Sequence, residues 1–251
     1  MWRVLQNCLL YVFLLCTVAP ALAGGVLRLD PQAAGQRAAH QIDLLEDPSR
    51  ILGLSDVQGP EYAERFLPAS LVEGDINLGY SKSAYWLRLT VQAPQDHIIR
   101  NWLLELGFPA LDHISAYIVD KHGWRAYQTG DMLTFDQRPY PHRHFIFPML
   151  LDPGQITTIY LRVESQGTLT LPVMIWTEPA LLVYSQSAYG LLALYYGMLL
   201  ALALYNLLLF LSLRDPVYLA YVLFTVSMAI GQISLNGLGN QYLWPDWPAW
   251  G

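Results

Sequence analysis

His142-Arg143-His144 places two imidazoles two residues apart, and on a β-strand such positions share a face. Two convergent imidazoles begin a metal site, but zinc needs a third and usually a fourth ligand. None is evident nearby in the sequence. The expectation is therefore no metal and no cofactor, with the pair solvated or hydrogen-bonded at a β edge. Trp86 and Arg88 also share a strand face. A flat ring with polar groups beside it suits a sugar. Trp86, Arg88, Arg143, His144 and Glu164 are the candidate ligand-binding residues. The plainer alternative makes Trp86 a core residue and Arg88 an ion-paired or surface one. Carboxylates are many, among them Asp43, Glu46, Asp47, Glu61, Glu64, Glu73 and Asp75. A glycosidase needs two of them facing each other across a bond, and nothing isolates a pair. Asp43, Glu46 and Asp47 are read as a solvated acidic loop rather than a calcium site. G-x-S-x-G, phosphate-loop, H-E-x-x-H and pre-helical G-x-G-x-x-G motifs are all missing. No catalytic residue is assigned, and the chain is not read as an enzyme.

The elements that must position these side chains are short strands. Tyr85–Val91 mixes aromatic and β-branched residues in loose alternation. Trp102–Leu106, Ile114–Val119, His144–Phe147, Ile156–Val163 and Leu171–Trp176 do the same. Turn residues separate them, most clearly Asp152-Pro153-Gly154. Short, regularly spaced strands predict an antiparallel β-sandwich. Asp43 to Ser55 is expected to hold no more than a short turn or helix.

The ends of the chain are of another kind. Arg3, the apolar Leu9–Val18 and Ala21-Leu22-Ala23 read as a secretory signal over 1–23. Both cysteines, Cys8 and Cys16, fall inside it, so disulfides and a cysteine nucleophile are excluded downstream. Residues 24–180 carry the soluble character. Ala188–Leu213 is an uncharged run of about 26 residues, roughly 39 Å as a helix. Val217–Leu235 is a second, of about 19. Asp215 suits an N-cap and Pro216 the first helical position, so 188–213 and 217–235 form a transmembrane hairpin. Export puts the sandwich outside the cytoplasm and Arg214 at the inner turn, the side the positive-inside rule favours. The segment 236–251 holds Tyr242, Trp244, Trp247 and Trp250, which suit a membrane–water interface. The chain is 54% hydrophobic and 14% charged, with a formal net charge of −6. That excludes nucleic-acid binding, which needs a concentrated positive surface.

The order of parts, with Ser83-Ala84-Tyr85-Trp86-Leu87-Arg88-Leu89, Leu104 to Ile114, Tyr117, Gly130-Asp131, Arg143-His144-Phe145-Ile146-Phe147-Pro148 and Tyr160-Leu161-Arg162-Val163, resembles a bacterial receptor family. Tyr195-Tyr196-Gly197-Met198, Tyr205-Asn206-Leu207, Asn236-Gly237-Leu238-Gly239 and Tyr242-Leu243-Trp244-Pro245 extend the likeness. The family is the seven-transmembrane receptors with diverse intracellular signalling modules, 7TMR-DISM, with the type 2 extracellular domain. The resemblance implies a jelly-roll-like sandwich similar to carbohydrate-binding modules. It also implies seven membrane helices and a cytoplasmic kinase or diguanylate cyclase module. Two spans are read here, so the chain is expected to be part of a longer reading frame.

The expected function is the sensory part of a bacterial inner-membrane receptor. Its sandwich, in the periplasm, binds a small ligand such as a carbohydrate and passes the signal through the membrane helices. The lipid membrane is a partner on this reading, with a second copy or another membrane signalling protein beside it. Two alternatives stand beside it: a membrane-anchored glycan hydrolase, and a docking module for another membrane protein. Polar Asn206, Ser227 and Gln232, with the small Gly190, Gly197 and Gly231, are read as helix-packing positions.

Overall fold

The structure, a computed structural model, describes residues 25–72, 74–96, 100–120 and 123–248. The expected signal segment 1–23 and Trp250 lie outside the described residues.

Among the described residues, fourteen strands build the part ahead of the long helices. They are β1 (Leu27–Arg28), β2 (Gln36–Arg37), β3 (Ile42–Asp47), β4 (Leu67–Pro68), β5 (Leu71–Val72), β6 (Asp75–Tyr80) and β7 (Ala84–Gln92). Then come β8 (Asn101–Leu106), β9 (His113–Asp120), β10 (Gly123–Thr129), β11 (Phe145–Leu150), β12 (Ile156–Glu164), β13 (Thr168–Leu171) and β14 (Val173–Thr177). The large sheet runs β10-β9-β12-β7-β3-β4, with β1 added to β7 in parallel. The second sheet runs β11-β8-β14-β2, and a small third one β13-β6-β5. Every other pairing is antiparallel.

Alternation decides which face goes inward. Leu87, Leu89 and Val91 of β7 share one core with Trp102, Leu104 and Leu106 of β8 and with Phe145, Phe147 and Met149 of β11. The stretch Leu171–Trp176, expected as one strand, is two. Pro172 has no N–H to give a ladder; its carbonyl instead accepts from Gly107 N at 2.9 Å.

The outer face of β7 is covered too. Trp86, fully buried, packs with Leu45, Val57, Phe66 and Tyr160 beneath two short helices, α1 (Leu54–Gln58) and α2 (Pro60–Ala63). This corrects the expectation for Asp43 to Ser55. Residues 42–47 form a strand inside the large sheet, and Asp43 and Asp47 are only 3% and 1% exposed. Asp43 Oδ2 accepts from Arg88 Nη2 at 2.9 Å. Asp47 accepts from Ser49 Oγ, Arg50 N and Leu52 N at 2.5, 2.9 and 3.1 Å, shaping the turn that follows. Glu46 accepts from Ser83 Oγ at 2.6 Å. The three carboxylates are thus committed to separate partners, not gathered in an acidic loop. The reason is pairing: opposite Arg88 in the ladder, an Asp can be buried with its charge matched.

Helix α3 (Glu178–Leu213) starts on the residue after β14, without a linker. Glu178 suits the positive end of its dipole, and a proline in the first turn costs no hydrogen bond. At 36 residues it spans roughly 54 Å, far more than the ~30 Å hydrocarbon core. It begins well ahead of the expected residue 188, and its first turns lie against the sandwich. Arg214, at φ 55°, ends it. Asp215 then caps α4 (Pro216–Leu235), accepting from Val217 N at 2.9 Å. Among the described residues these are the two helices long and apolar enough to cross a membrane. Their surfaces bear exposed large apolar residues, such as Leu191 at 70% and Phe224 at 68%, a pattern suited to lipid or neighbouring helices.

Truncating Asp43 leaves a half-buried guanidinium with no counter-charge. Asp43→Ala should cost about 3–5 kcal/mol, read as a lower melting temperature of the chain in detergent. Asp43→Leu with Arg88→Met should recover most of that loss.

Candidate functional site

The outer face of the second sheet carries Leu103 and Glu105 of β8, Ile146 of β11 and Met174 and Trp176 of β14, placed there by register. His144 precedes β11 on the same face. Leu103, Ile146 and Trp176 pack with Leu181 of α3, and the Trp176 ring stacks on Tyr184 at 4.9 Å. Beneath this cover sits a polar cluster. Glu105 is 2% exposed, His142 5% and His144 6%. Glu105 Oε2 accepts from Trp176 Nε1 at 2.6 Å, and Glu105 Oε1 lies 2.5 Å from His144 Nδ1. His142 Nδ1 accepts from His144 N at 3.1 Å, so its proton is on Nε2, 3.3 Å from Ser185 Oγ of α3. Ligand atoms of the three residues all lie within 4.8 Å of one another.

Burial raises the Glu105 pKa, but the hydrogen bond and charge of His144, the hydrogen bond of Trp176 and the charge of His142 outweigh it, so the carboxyl lies below its ordinary value. Burial pushes the His142 imidazole down to about 4, helped by His144, Arg143 and Arg138 against the pull of Glu105. His144 is also lowered, by burial first. At neutral pH the cluster is one carboxylate with two neutral imidazoles.

The loop 131–144 joins this cluster to both membrane helices. Arg138, 7% exposed, donates from Nη1 to the carbonyls of His142 and Arg143 at 2.9 and 2.7 Å, and lies 4.4 Å over the Phe145 ring. Arg143 N donates to Tyr189 Oη of α3 at 3.4 Å, and Arg143 Nη1 to Asn236 O, just past α4, at 3.3 Å. Tyr189 Oη donates to Gln241 Oε1 at 2.9 Å, and Phe135 N to Pro245 O at 2.9 Å. Gly237, at φ +73°, passes so close to Arg143 O and Pro109 that a Cβ would meet them at 2.7 and 2.8 Å. The start of α3 and the end of α4 are thus docked on one loop.

A second feature lies at the end of the large sheet. Arg50, Tyr80, Lys82, Asp112, His113 and Glu164 help line a hollow of about 420 Å³. Glu164 is ion-paired with Arg50, whose φ is 61°, and with Arg162 at 3.1 Å. Asp112 accepts from Ser165 Oγ and Gln166 N at 2.8 and 3.0 Å. Next to it, Asp131 N donates to Leu111 O at 2.9 Å. Burial and the charge of Asp112 push the Asp131 carboxyl up to about 6, against the pull of Arg138. Asp131 therefore stands electrostatically between the hollow and the junction.

The five candidate ligand-binding residues fall into three places. Trp86 and Arg88 are under α1 and α2, Trp86 stacked on Tyr117 at 5.7 Å and Arg88 over Phe66 at 4.4 Å. Glu164 lines the hollow. Arg143 and His144 belong to the junction. Sequence reasoning did not single out Glu105, Asp131, Arg138, Tyr189 and Asn236, which the fold brings to the junction. The available signal was the resemblance itself: Glu105, Pro109, Asp131, Arg143, His144, Tyr196 and Asn236-Gly237 lie in the segments that carried it, and they meet here.

Between pH ~6.5 and about 4 the unfolded chain holds a proton on His142 that the fold lacks. Stability then falls on acidification, by up to about 1.4 kcal/mol per pH unit. Asp131 acts oppositely: between 3.8 and about 6 the fold keeps a proton that the unfolded chain releases, so its share falls as pH rises. Melting temperatures from neutral pH to about pH 4 should fall less steeply in His142→Gln and more steeply in Asp131→Asn.

The comparisons agree with this division of the chain. The pattern described as 7TMR-DISM extracellular 2 matches residues 39–177, and that described as 7TM diverse intracellular signalling matches 188–251. No curated protein matches the chain. Between them the two patterns take in the sandwich and both apolar helices, so this chain belongs to the 7TMR-DISM family, membrane receptors with an outward-facing sensory domain joined to a transmembrane part.

Proposed function

We propose that the sandwich binds a small polar ligand, a carbohydrate, in the hollow lined by Tyr80 and Glu164, and that binding shifts the seating of α3 and α4. One observation carries the reading. Tyr80 is 82% exposed and stands beside Arg50, Lys82, Asp112, His113 and Glu164. A bare aromatic face amid charged donors and acceptors suits a sugar, whose rings are apolar above and hydroxylated at the edge. The hollow near the base of α3, about 300 Å³, is lined largely by apolar groups such as Leu103, Ile118 and Met149, and suits a sugar less.

The route inward runs from Asp112 through Asp131 and Arg138 to the carbonyls of His142 and Arg143, and so to Tyr189 and Asn236. A ligand that changes the field at Asp112 changes the balance at Asp131. A signal needs such differential contact with two arrangements of the same parts. Binding is favoured over hydrolysis, because Asp112 and Glu164 are both committed to neighbours rather than left as an acid and base pair. On this reading the sandwich lies in the periplasm, the helices in a bacterial inner membrane, and the response reaches a cytoplasmic signalling module, with a second copy or another membrane signalling protein as partner.

The test is calorimetric titration of the chain in detergent with a panel of neutral mono- and disaccharides. At least one should bind, and Tyr80→Ala should weaken it by about tenfold, ~1.4 kcal/mol. No heat from any saccharide, or binding indifferent to Tyr80→Ala, would rule the reading out.

A further inference from the structure

We infer that Glu105, His142 and His144 form a binding site for one divalent transition-metal ion at the seam between the sandwich and α3. The inference is independent of the carbohydrate reading, since none of the three residues lines that hollow.

The sequence offered two imidazoles and no third ligand. The fold supplies it. Strand register sets Glu105 opposite Ile146, and His144 stands two residues before Ile146 on the same face. All three groups are more than nine-tenths buried, with ligand atoms within 4.8 Å of one another. Two imidazoles and one carboxylate suit zinc, cobalt, nickel or copper, whereas calcium and magnesium call for oxygen ligands throughout. Both imidazoles are held neutral, the form that ligates.

An outer layer of support is already in place. Trp176 Nε1 holds one oxygen of Glu105 at 2.6 Å. His142 Nε2–H faces Ser185 Oγ at 3.3 Å, leaving Nδ1 as the ligand atom in exchange for the His144 amide. The ion takes the place of the proton between His144 Nδ1 and Glu105 Oε1, and that proton moves to His144 Nε2. No proton is gained or lost. A ligating histidine ordinarily donates its other N–H to a fixed partner; for His142 that partner is on the membrane helix. A bound ion therefore clamps α3 through Ser185. Arg138 and Arg143, whose charges lower both imidazoles, also oppose the ion.

The test uses the chain in detergent, without a polyhistidine tag, and Co²⁺ as the probe. The wild type should bind about one equivalent with visible ligand-field bands of a low-symmetry site, and Zn²⁺ should displace it. His142→Ala with His144→Ala should abolish the bands, and Glu105→Gln should weaken binding by about tenfold or more. His40→Ala, at an exposed histidine, should leave them unchanged. X-ray absorption of the Zn²⁺-loaded wild type should show two imidazole nitrogens, a reading that needs no variant to fold. Absent bands in the wild type, bands that survive loss of both histidines, or a shell without imidazole would each overturn the inference.

Discussion

Glu105 is a carboxylate on the outside of a β-sheet, yet it is dry. Taking such a charge out of water costs several kcal/mol unless every lone pair finds a partner. Trp176 and His144 supply two, one to each oxygen. The arrangement holds only while water is kept out, and the sheet alone does not do that. The first turns of α3 and the loop 131–144 form the seal. The buried charge and the membrane helix therefore depend on each other: lifting α3 would wet Glu105 and release both histidines.

That dependence makes the junction stiff. The chain passes from β14 into α3 with no flexible residue between, and Trp176 on the strand stacks on Tyr184 of the helix. The segment after α4 returns to the same loop through Asn236 and Gly237, and to α3 through Gln241, which accepts from Tyr189. A displacement of the loop must move both helices or break these contacts. Packed interfaces of this sort tend to have discrete arrangements rather than a continuum, which is what a receptor needs at its outer membrane surface.

Much of the scaffold was legible in the sequence. Period-two alternation found β7, β8, β9, β11 and β12 because each has a face in the core. Asp215-Pro216 marked the start of α4 because capping is local chemistry. What alternation alone does not show is a second covered face. Trp86 looks the same whether a sugar or Val57 and Phe66 lie against it. Asp43 and Asp47 read as an acidic loop because their partners, Arg88 and the turn at 49–52, become visible only through pairing and local folding. Glu105 lies 39 positions from His144, and nothing in the sequence joins them but strand register. The early start of α3 was hidden because residues 178–187 are of mixed polarity: one face meets the sandwich and the other is exposed.

With the junction sealed, sandwich and α3 should move as one body. This is tested most directly by the distance between spin labels on Gln128→Cys in β10 and Gln186→Cys in α3, both exposed. Replacing Cys8 and Cys16, the chain's only native cysteines, leaves these as the two labelled sites. One narrow distance distribution is expected, broadening when Glu105→Ala removes the acceptor that Trp176 and His144 share. A broad distribution in the wild type, or one unchanged by Glu105→Ala, would contradict it.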